Sequence, residues 1–314
     1  KYMVYVVLNW GEALVVNSQE QLLNLKYTLT NIEDIECGSG GVIITGKSDY
    51  IELYDGITLE IPVKRIVSKV SLVCDFSGLD SDVELKVKSV CLKNAPKEVV
   101  LFGDNVAGSV INGEMRNSEQ LLNGLSTTGI SFYTLENIQG NVAGATSNKE
   151  KANLLGSRRS TATYIEVVCS IVTNEKKGDI TYRFYLGTAH NNANIYRNTT
   201  QVIKVAFKGE ASVDENSVSV DNTSLVDRVT DMYLNPMFIS FIGRYGDQES
   251  CEAVIIPSTA IDKSVVWSSS YESVATVDQD GVITAWHDGI AYITATSVEN
   301  PSISASCKVS VAFQ

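Results

Sequence analysis

The sequence has few of the side chains on which enzymes and metal proteins depend. Histidine occurs only twice in the 314 residues, as His190 and His287, and no serine or cysteine lies in a nucleophile-elbow or papain-like context. The six cysteines form no close CxxC pair and have no histidine at zinc-finger spacing. We therefore expect no catalytic residue, no cofactor and no metal ligand, and no single residue stands out as a binding residue.

Long apolar runs and clusters of basic residues are missing as well. No stretch approaches the ~20 apolar residues that cross a bilayer. The formal net charge is -12, and no row of Lys and Arg could neutralise phosphates or anionic lipid heads. We expect neither nucleic acid binding nor direct membrane insertion of the mature chain, and any export signal or lipid anchor would have been removed or lie upstream.

Two short motifs imitate ligand loops without completing them. The GSGG stretch at 38–41 lacks the Lys and Ser/Thr of a phosphate loop, so it predicts a turn. The DQDG stretch at 278–281 starts like a calcium loop, but Gly289 stands where the twelfth-position Glu belongs, and a hairpin turn explains it. A carboxylate pair for glycoside hydrolysis could still converge in space, but no local pattern nominates one.

What the sequence has in abundance is apolar and polar alternation with a period of two. It is bounded by Gly, Asn, Asp and Ser clusters about every ten residues, which is typical of β-sandwiches. The predicted strands of the first two thirds are 2–10, 23–30, 41–45, 57–61, 67–76, 83–92, 129–135, 163–172, 180–186 and 201–207.

Segments without this alternation are few. Short helical turns are predicted at 18–25, where Ser18 can cap, and at 118–123. The stretch 139–159 is rich in Asn, Gly, Ser and Lys, and predicts a long exposed loop. The 14 Tyr and 3 Trp would suffice for a glycan-binding platform, yet Tyr164, Tyr182 and Tyr185 alternate as strand residues do, which favours sheet packing.

Four cysteines continue inward-facing rows of strand residues, namely Cys74, Cys169, Cys251 and Cys307. Free cysteine is among the most buried residue types, so we expect these thiols to pack in cores. Cys251 and Cys307 could also form a bridge in an exported protein, and the sequence leaves that alternative open.

The spacing of turns predicts three domains. They are an N-terminal β-sandwich at 1–105, a second β-sandwich at 106–212 and an immunoglobulin-sized sandwich at 213–314, with a linker near 210–222. The expected fold class is all-β, with tandem sandwiches.

The stretch 265–297, VVWSSSYESVATVDQDGVITAWHDGIAYITATS, resembles the bacterial immunoglobulin-like domain of group 2. In this pattern Trp267 fills the space between two sheets, and Asp280 with Gly281 forms a hairpin turn that tolerates positive φ. The resemblance implies a rigid spacer or a receptor-binding surface. The preceding stretch 225–248 departs from the pattern by its length and by the apolar run 237–242.

Four segments of the first two predicted domains resemble fimbrillins, the fimbrial subunits of Bacteroidales. They are EIPVKRIVSKVSLV at 60–73, SVCLKNAPKEVVLF at 89–102, FYTLENIQG at 132–140, and TYRFYLG at 181–187 with IYRNTTQVIKVAFKG at 195–209. The resemblance implies two transthyretin-type sandwiches in an exported lipoprotein precursor. Removal of an N-terminal strand then opens a groove that a neighbouring subunit fills by donor-strand addition.

These observations predict a non-enzymatic bacterial surface protein, at the outer membrane or in a fimbrium. It would be a tip or accessory fimbrial subunit or an adhesin, with other fimbrial subunits and a host or bacterial receptor or glycan as partners. The alternative is a glycan-binding surface lipoprotein that uses the immunoglobulin-like domain as a spacer.

Overall fold

The computed structural model describes residues 1–11, 13–37, 41–213, 219–221 and 226–313. The chain forms two compact units, unit 1 from Lys1–Ser170 and Asp179–Thr223, and unit 2 from Ile171–Gly178 and Ser224–Gln314. Strands account for 48% of the chain and helices for 8%, which confirms the all-β fold class. Residues 38–40 of the predicted turn, and 214–218 and 222 of the predicted linker, lie outside the described residues.

The strands of the first two thirds of the chain include most of those predicted from the alternation. They are β1 (Tyr5–Leu8), β2 (Lys26–Thr28), β3 (Ile44–Lys47), β4 (Val63–Arg65), β5 (Val67–Leu79), β6 (Glu84–Lys93), β7 (Ala95–Pro96), β8 (Glu98–Val100), β9 (Val110–Ile111), β10 (Ile130–Leu135), β11 (Asn137–Asn141), β12 (Tyr164–Val172), β13 (Lys176–Tyr185), β14 (Asn192–Ile195), β15 (Thr200–Gly209), β16 (Ser212–Val213) and β17 (Ser219–Asp221).

The helices are short. They are α1 (Gln19–Leu23), α2 (Asp34–Cys37), α3 (Glu119–Asn123) and α4 (Asn148–Leu154), with 3-10 turns at Gly124–Ser126 and Gly156–Ser160. Both predicted helical turns are therefore confirmed, and Ser18 caps α1 by accepting a hydrogen bond from the Gln21 N–H at 3.1 Å. None of the described helices is long and apolar enough to cross a membrane.

Two larger sheets carry the core of unit 1. One has the order β10–β5–β15–β16 and the other the order β17–β13–β12–β6. Tyr182 of β13 and Phe207 of β15 are fully buried and join the two sheets edge to face, with ring centroids 5.1 Å apart. The Tyr182 hydroxyl donates to the Ala211 carbonyl at 2.8 Å, so its one polar group is satisfied.

Strand pairing in unit 1 crosses the domain boundary predicted at residue 105. Strand β5 belongs to the predicted domain 1–105, but it pairs antiparallel with β10 and parallel with β15, both from the predicted domain 106–212. The two predicted domains therefore share one sheet. Alternation within a strand does not identify its partners, so the sequence pattern could not show that strands on the two sides of residue 105 pair with each other.

The cysteine rows follow the predicted inward direction. Cys74, Cys169, Cys251 and Cys307 are all buried, and each is a free thiol. Burial raises the pKa of Cys74 and of Cys169 to about 12, so neither thiol provides a reactive thiolate near neutral pH. Core packing is thus confirmed for these four residues, and the structure has no bridge between Cys251 and Cys307.

The predicted exposed loop at 139–159 is wrong. Ser147 caps α4 by accepting from the Glu150 N–H at 3.2 Å, and the Glu150 carboxylate accepts from the Thr146 N–H at 2.7 Å. The Glu150 carboxylate binds the N–H of the residue before the cap, which is a variant of the capping box, and the sequence has the Ser-x-x-Glu pattern of such a cap at 147–150. Four residues of the segment and its flank form a small buried cluster with Ala193, namely Val142, Ala145, Leu155 and Ala162.

The predicted strand at 57–61 is also wrong, because the residues there form no strand. Alternation alone does not make a ladder when no partner strand lies alongside, and Pro62 directly after the segment has no N–H to donate.

Unit 2 is built from the remaining strands. They are β18 (Val226–Asp227), β19 (Asp231–Asn235), β20 (Phe238–Phe241), β21 (Gln248–Ser250), β22 (Glu252–Ile256), β23 (Val265–Ser269), β24 (Ala275–Val277), β25 (Val282–Ala285), β26 (Gly289–Ser297) and β27 (Ser304–Val311). The apolar run 237–242 contains β20, which pairs parallel with β27 at the end of the sheet β20–β27–β26–β23. The core includes Trp267, 8% exposed, as the sequence predicted.

The DQDG stretch is the turn before β25. Asp278 accepts hydrogen bonds from the N–H groups of Asp280 and Val282, each at 2.9 Å. Gly281 has φ +79°, and a Cβ at this position would lie 2.3 Å from the Cys251 carbonyl oxygen and 3.0 Å from the Trp267 ring. The turn therefore needs glycine for both its conformation and its space.

We expect Gly281→Ala to destabilise unit 2 far more than Gly246→Ala does. Gly246 has a similar φ of +86°, but its nearest neighbour would be 4.0 Å from the added Cβ. The control should cost about 1–2 kcal/mol for the left-handed conformation, and the test variant roughly 1–3 kcal/mol more for the steric overlap. Urea unfolding followed by tryptophan fluorescence measures both, and equal losses would contradict the close contact at Gly281.

Candidate functional site

The described residues contain no group of three or more His, Cys, Asp or Glu side chains placed to hold a metal ion. His190 is exposed in unit 1. His287 is exposed in unit 2, where its Nδ1 lies 2.8 Å from the Ser273 carbonyl oxygen. The candidate sites are therefore surfaces and cavities that could hold a partner or ligand.

Polar side chains of the segments 132–140 and 195–209 contact each other within unit 1. Arg197 lies against Glu136, with Nη2 and Nε at 2.6 Å and 2.9 Å from Oε2. The same guanidinium donates to the carbonyls of Val100, Leu101 and Gly103 at 2.7–2.9 Å. Both side chains are nearly buried, so the cluster holds the chain after β8 against the start of β15.

Asparagines make a second set of internal contacts. Asn137 donates to the Thr163 hydroxyl at 3.0 Å, and that hydroxyl donates to the Asn94 carbonyl at 2.9 Å. Asn94 and Asn198 both take left-handed conformations, with φ +52° and +56°, which asparagine tolerates better than most residues. These groups are occupied by the protein itself and are not free to bind a partner.

An exposed strand edge is the most prominent candidate interface of unit 1. Strand β1 pairs antiparallel with β3 from Tyr5 opposite Lys47 to Leu8 opposite Ile44, and it is the outer strand of the sheet β1–β3–β4. Two further links hold it, since the Val4 N–H donates to the Ser48 hydroxyl at 2.9 Å and Tyr5 packs edge to face on Phe102. The strand is only partly buried.

Beside β1 lies a cavity of about 510 Å³. Its lining includes Tyr2, Tyr5, Val16, Leu22 and Tyr50. Tyr2 and Tyr50 are 60% and 65% exposed. The cavity therefore offers an aromatic and apolar surface next to an unpaired strand edge.

A cluster of aromatic rings forms the candidate surface of unit 2. Tyr245, which is 66% exposed, lies 4.9 Å from the Trp286 ring and 6.0 Å from the His287 ring. The Trp286 indole is fixed because its Nε1–H donates to the Thr276 hydroxyl at 2.9 Å. The Gly246 N–H donates to the Ala285 carbonyl at 2.8 Å, which holds the loop of Tyr245 in place.

The sequence pattern does not predict this pair. The two residues lie about forty positions apart, and nothing in their local pattern brings them together. Only the long-range pairing of β21 with β25 does so.

Two segments of the chain match known families. Residues 244–309 match the bacterial Ig-like domain (group 2), so the C-terminal part contains an Ig-like domain of this group, as the sequence predicted. Residues 132–205 match a domain of unknown function, DUF4906. The first match begins just before β21 and ends in β27, and the second runs from within β10 to the middle of β15.

Curated relatives match short stretches. A 3-O-alpha-D-galactosyl-alpha-L-arabinofuranosidase of Bifidobacterium longum is 36% identical over 97 residues, 30% of this chain and 8% of that protein. An alpha-L-arabinofuranosidase of the same species is 47% identical over 51 residues, 16% of this chain and 5% of that protein. The chain thus spans a small part of these relatives, whose names describe the whole proteins.

Solved structures similar to this chain include Bacteroidales proteins. A candidate cell adhesion protein from Bacteroides eggerthii is 14% identical, with 72% of this chain and 76% of that chain covered and a TM-score of 0.46. A fimbrial assembly protein from Parabacteroides distasonis is 14% identical, with 70% and 71% covered and a TM-score of 0.33. The likeness is weak in both.

We expect Arg197→Ala to destabilise unit 1 strongly. The Arg197 and Glu136 side chains are only 11% and 5% exposed, so removing the cation leaves a buried carboxylate unpaired, at a cost of about 3–5 kcal/mol. Lys86→Ala is the control, because Lys86 pairs with Glu84 while both side chains stay 73% and 59% exposed, and no measurable change is expected. Hydrogen exchange of β5 and β15 peptides measures the stability of both variants. Similar protection in the two variants would contradict the stabilising role of the Arg197–Glu136 ion pair.

Proposed function

We propose that this chain is a bacterial surface protein of the adhesion or fimbria-assembly type, which acts by protein contacts without turnover. We further propose that it reaches the surface as an exported, lipid-anchored precursor. The observation that carries the proposal is the position of β1. It is a short outer strand with one described partner, β3, and lies beside the aromatic cavity.

An outer strand of this kind suits strand exchange. A donor strand from another subunit would recover the same main-chain hydrogen bonds on β3, and apolar donor side chains would enter the cavity that Tyr2 and Tyr5 now line. Four residue pairs join β1 to β3, and just before β1 the Ser48 N–H donates to the Val4 carbonyl and Tyr2 bridges Ile51, so displacement must open these hydrogen bonds as well. The long strand β15, in contrast, lies between β5 and β16 and is not a candidate for exchange.

The Ig-like domain supports a role at the surface in a different way. Its strands form a closed apolar core with Trp267 and the buried thiols inside. Such a domain presents its outer faces without needing a partner to fold. We propose that it holds or presents the rest of the protein, and that it places this chain at a tip or in an accessory position.

A disulfide lock tests strand exchange. Val7 and Thr45 lie opposite each other in β1 and β3, so Val7→Cys with Thr45→Cys should hold β1 in place when oxidised. We expect the locked protein to stay out of fimbriae or surface assemblies on its own bacterium, and the reducing agent to restore assembly. Val7→Cys alone is the matched control and should assemble under both conditions.

Two results would contradict the proposal, and they do so at different levels. Normal assembly of the oxidised double variant would exclude exchange of β1, while leaving a surface role intact. Failure to label the unaltered protein with antibody on intact cells would exclude the surface role itself.

The aromatic pair of unit 2 favours a second candidate function, carbohydrate binding. An exposed Tyr ring beside a fixed indole offers apolar faces to the C–H side of a sugar ring, while the phenol and imidazole at the rim can hydrogen-bond its hydroxyls. Two relatives are named as arabinofuranosidases, so arabinose-containing polysaccharides are the first probes.

We expect Tyr245→Ala to lower retention of the full chain on immobilised arabinan or arabinogalactan by tenfold or more. Tyr271→Ala is the control, because Tyr271 is similarly exposed, at 64%, but makes no described ring contact with Trp286. Affinity electrophoresis measures both variants against the unaltered protein. If the unaltered chain shows no retention, or both variants lose it equally, the aromatic pair is not a sugar site.

A further inference from the structure

A buried lysine in unit 1 has no charged partner. Lys151 lies on α4 and is 1% exposed. Its one described hydrogen bond is a long one, 3.5 Å from Nζ to the Tyr185 carbonyl oxygen. Within the described residues, no carboxylate lies at ion-pair distance from this ammonium, and the neighbouring Glu150 carboxylate is held at the cap by Thr146.

A cavity of about 230 Å³ opens beside the Lys151 side chain. It is lined by α4, by the segment 184–190 that ends β13, and by the first residues of β15. Gln201 also lines the cavity, and its buried Nε2 has no hydrogen-bond partner among the described residues. The two residues that carry these poorly paired donors therefore line one small cavity.

Gly187 keeps the space beside the amine open. A Cβ at this position would lie 3.0 Å from Lys151 Nζ and 2.2 Å from the Asn192 carbonyl oxygen. Its φ of +156° also disfavours other residues. The backbone thus comes close to the ammonium without a side chain that would cover it.

The energetics of this arrangement favour an anion. A buried cation without a counter-ion is costly, and a donor left unsatisfied adds to that cost. Burial lowers the pKa of Lys151 from 10.5 to about 8, so at pH 7 the amine is still mostly protonated. The other titratable groups that line the cavity are Tyr185, His190 and Lys204, none of which supplies a negative charge near neutral pH.

We propose that this cavity binds a carboxylate group, with the Lys151 ammonium as its counter-ion and Gln201 Nε2 as its second hydrogen-bond donor. A carboxylate has two oxygens and can accept from both donors at once. The volume suits a free small acid or the acid group of a sugar such as glucuronate. None of the residues that line this cavity belongs to β1 or to the aromatic pair, so the proposal does not depend on either function proposed above.

Binding and protonation of the amine must be linked. A bound carboxylate stabilises the charged amine, so it raises the pKa of Lys151, and affinity is highest where the amine is protonated. Affinity should be nearly constant below pH 8 and fall about tenfold for each pH unit well above the pKa. A site made only of neutral donors would show no such fall.

The experiment is an NMR titration of the full chain labelled with ¹³C at lysine Cε. Sodium acetate and sodium glucuronate are added separately at pH 7.0 and pH 9.5, against sodium chloride at equal ionic strength. We expect saturable shifts of the Lys151 signal at pH 7.0, an upward shift of its titration midpoint, and binding at least tenfold weaker at pH 9.5. Saturation by acetate identifies a free small acid as sufficient, and saturation by glucuronate alone identifies the sugar acid.

Three variants make the result specific. Lys151→Met removes the charge and should abolish binding, which amide signals of residues 184–190 report. Gln201→Leu should weaken binding about tenfold, as expected for loss of a hydrogen bond to a charged group. Lys204→Met is the control, because Lys204 borders the same cavity but is exposed, and it should bind as the unaltered chain does.

Removing the charge in Lys151→Met should not destabilise the folded protein. Below pH 8 the folded state holds a cation whose pKa is depressed, so the substitution removes an unfavourable term. Relative to this variant, the stability of the unaltered chain should rise between about pH 8 and 10.5, where the unfolded state binds more protons.

The proposal is overturned if neither acid shifts the Lys151 signal at pH 7.0, or if Lys151→Met binds as tightly as the unaltered chain.

Discussion

The parallel pairing of β15 with β5 is the interaction on which unit 1 depends. It brings together residues far apart in sequence, as in the hydrogen bond from the Ser68 hydroxyl to the Thr199 carbonyl, 131 positions away. Parallel strands cannot be joined by a tight hairpin, so the chain between them must form a crossover. That crossover contains β6 to β14, and the second sheet of the sandwich is drawn largely from it. Two contacts lie where β15 enters the sheet. Asn198, in a left-handed conformation, donates its N–H to the Val67 carbonyl at 2.7 Å, and Arg197 forms its ion pair with Glu136.

This constraint separates structural polar residues from those available for binding. Arg197, Glu136, Asn94 and Asn137 are engaged in hydrogen bonds within unit 1. The groups left without adequate partners lie elsewhere, on the edge of β1 and in the cavity of Lys151 and Gln201. In unit 2 the same distinction holds between the enclosed Trp267 and the outward Tyr245 beside Trp286. We therefore expect function at backbone and side-chain groups that lack hydrogen-bond partners and at exposed apolar surfaces.

Much of the architecture was predictable from local patterns. Alternation located most long strands, the inward rows placed four cysteines in cores, and the DQDG turn with Trp267 identified the Ig-like domain, which the match over 244–309 confirms. The failures also have local causes. The Ser-x-x-Glu capping pattern at 147–150 is present in the sequence, but the polar composition of 139–159 favours the prediction of a loop. The stretch 57–61 alternates correctly and yet has no partner strand, so its pattern has no ladder to join.

The sequence by itself determined the elements whose causes are short-range, because side-chain period, turn conformation and capping depend on residues a few positions apart. The tertiary structure alone decided which strands share a sheet, because every alternating strand offers the same backbone donors and acceptors and its partner is chosen by packing across the whole unit. For the same reason only the structure could bring Tyr245 to Trp286, or enclose Lys151 with Gln201. In the sequence Lys151 is one lysine in a polar stretch, and burial without a counter-ion is a property that only the surrounding fold confers.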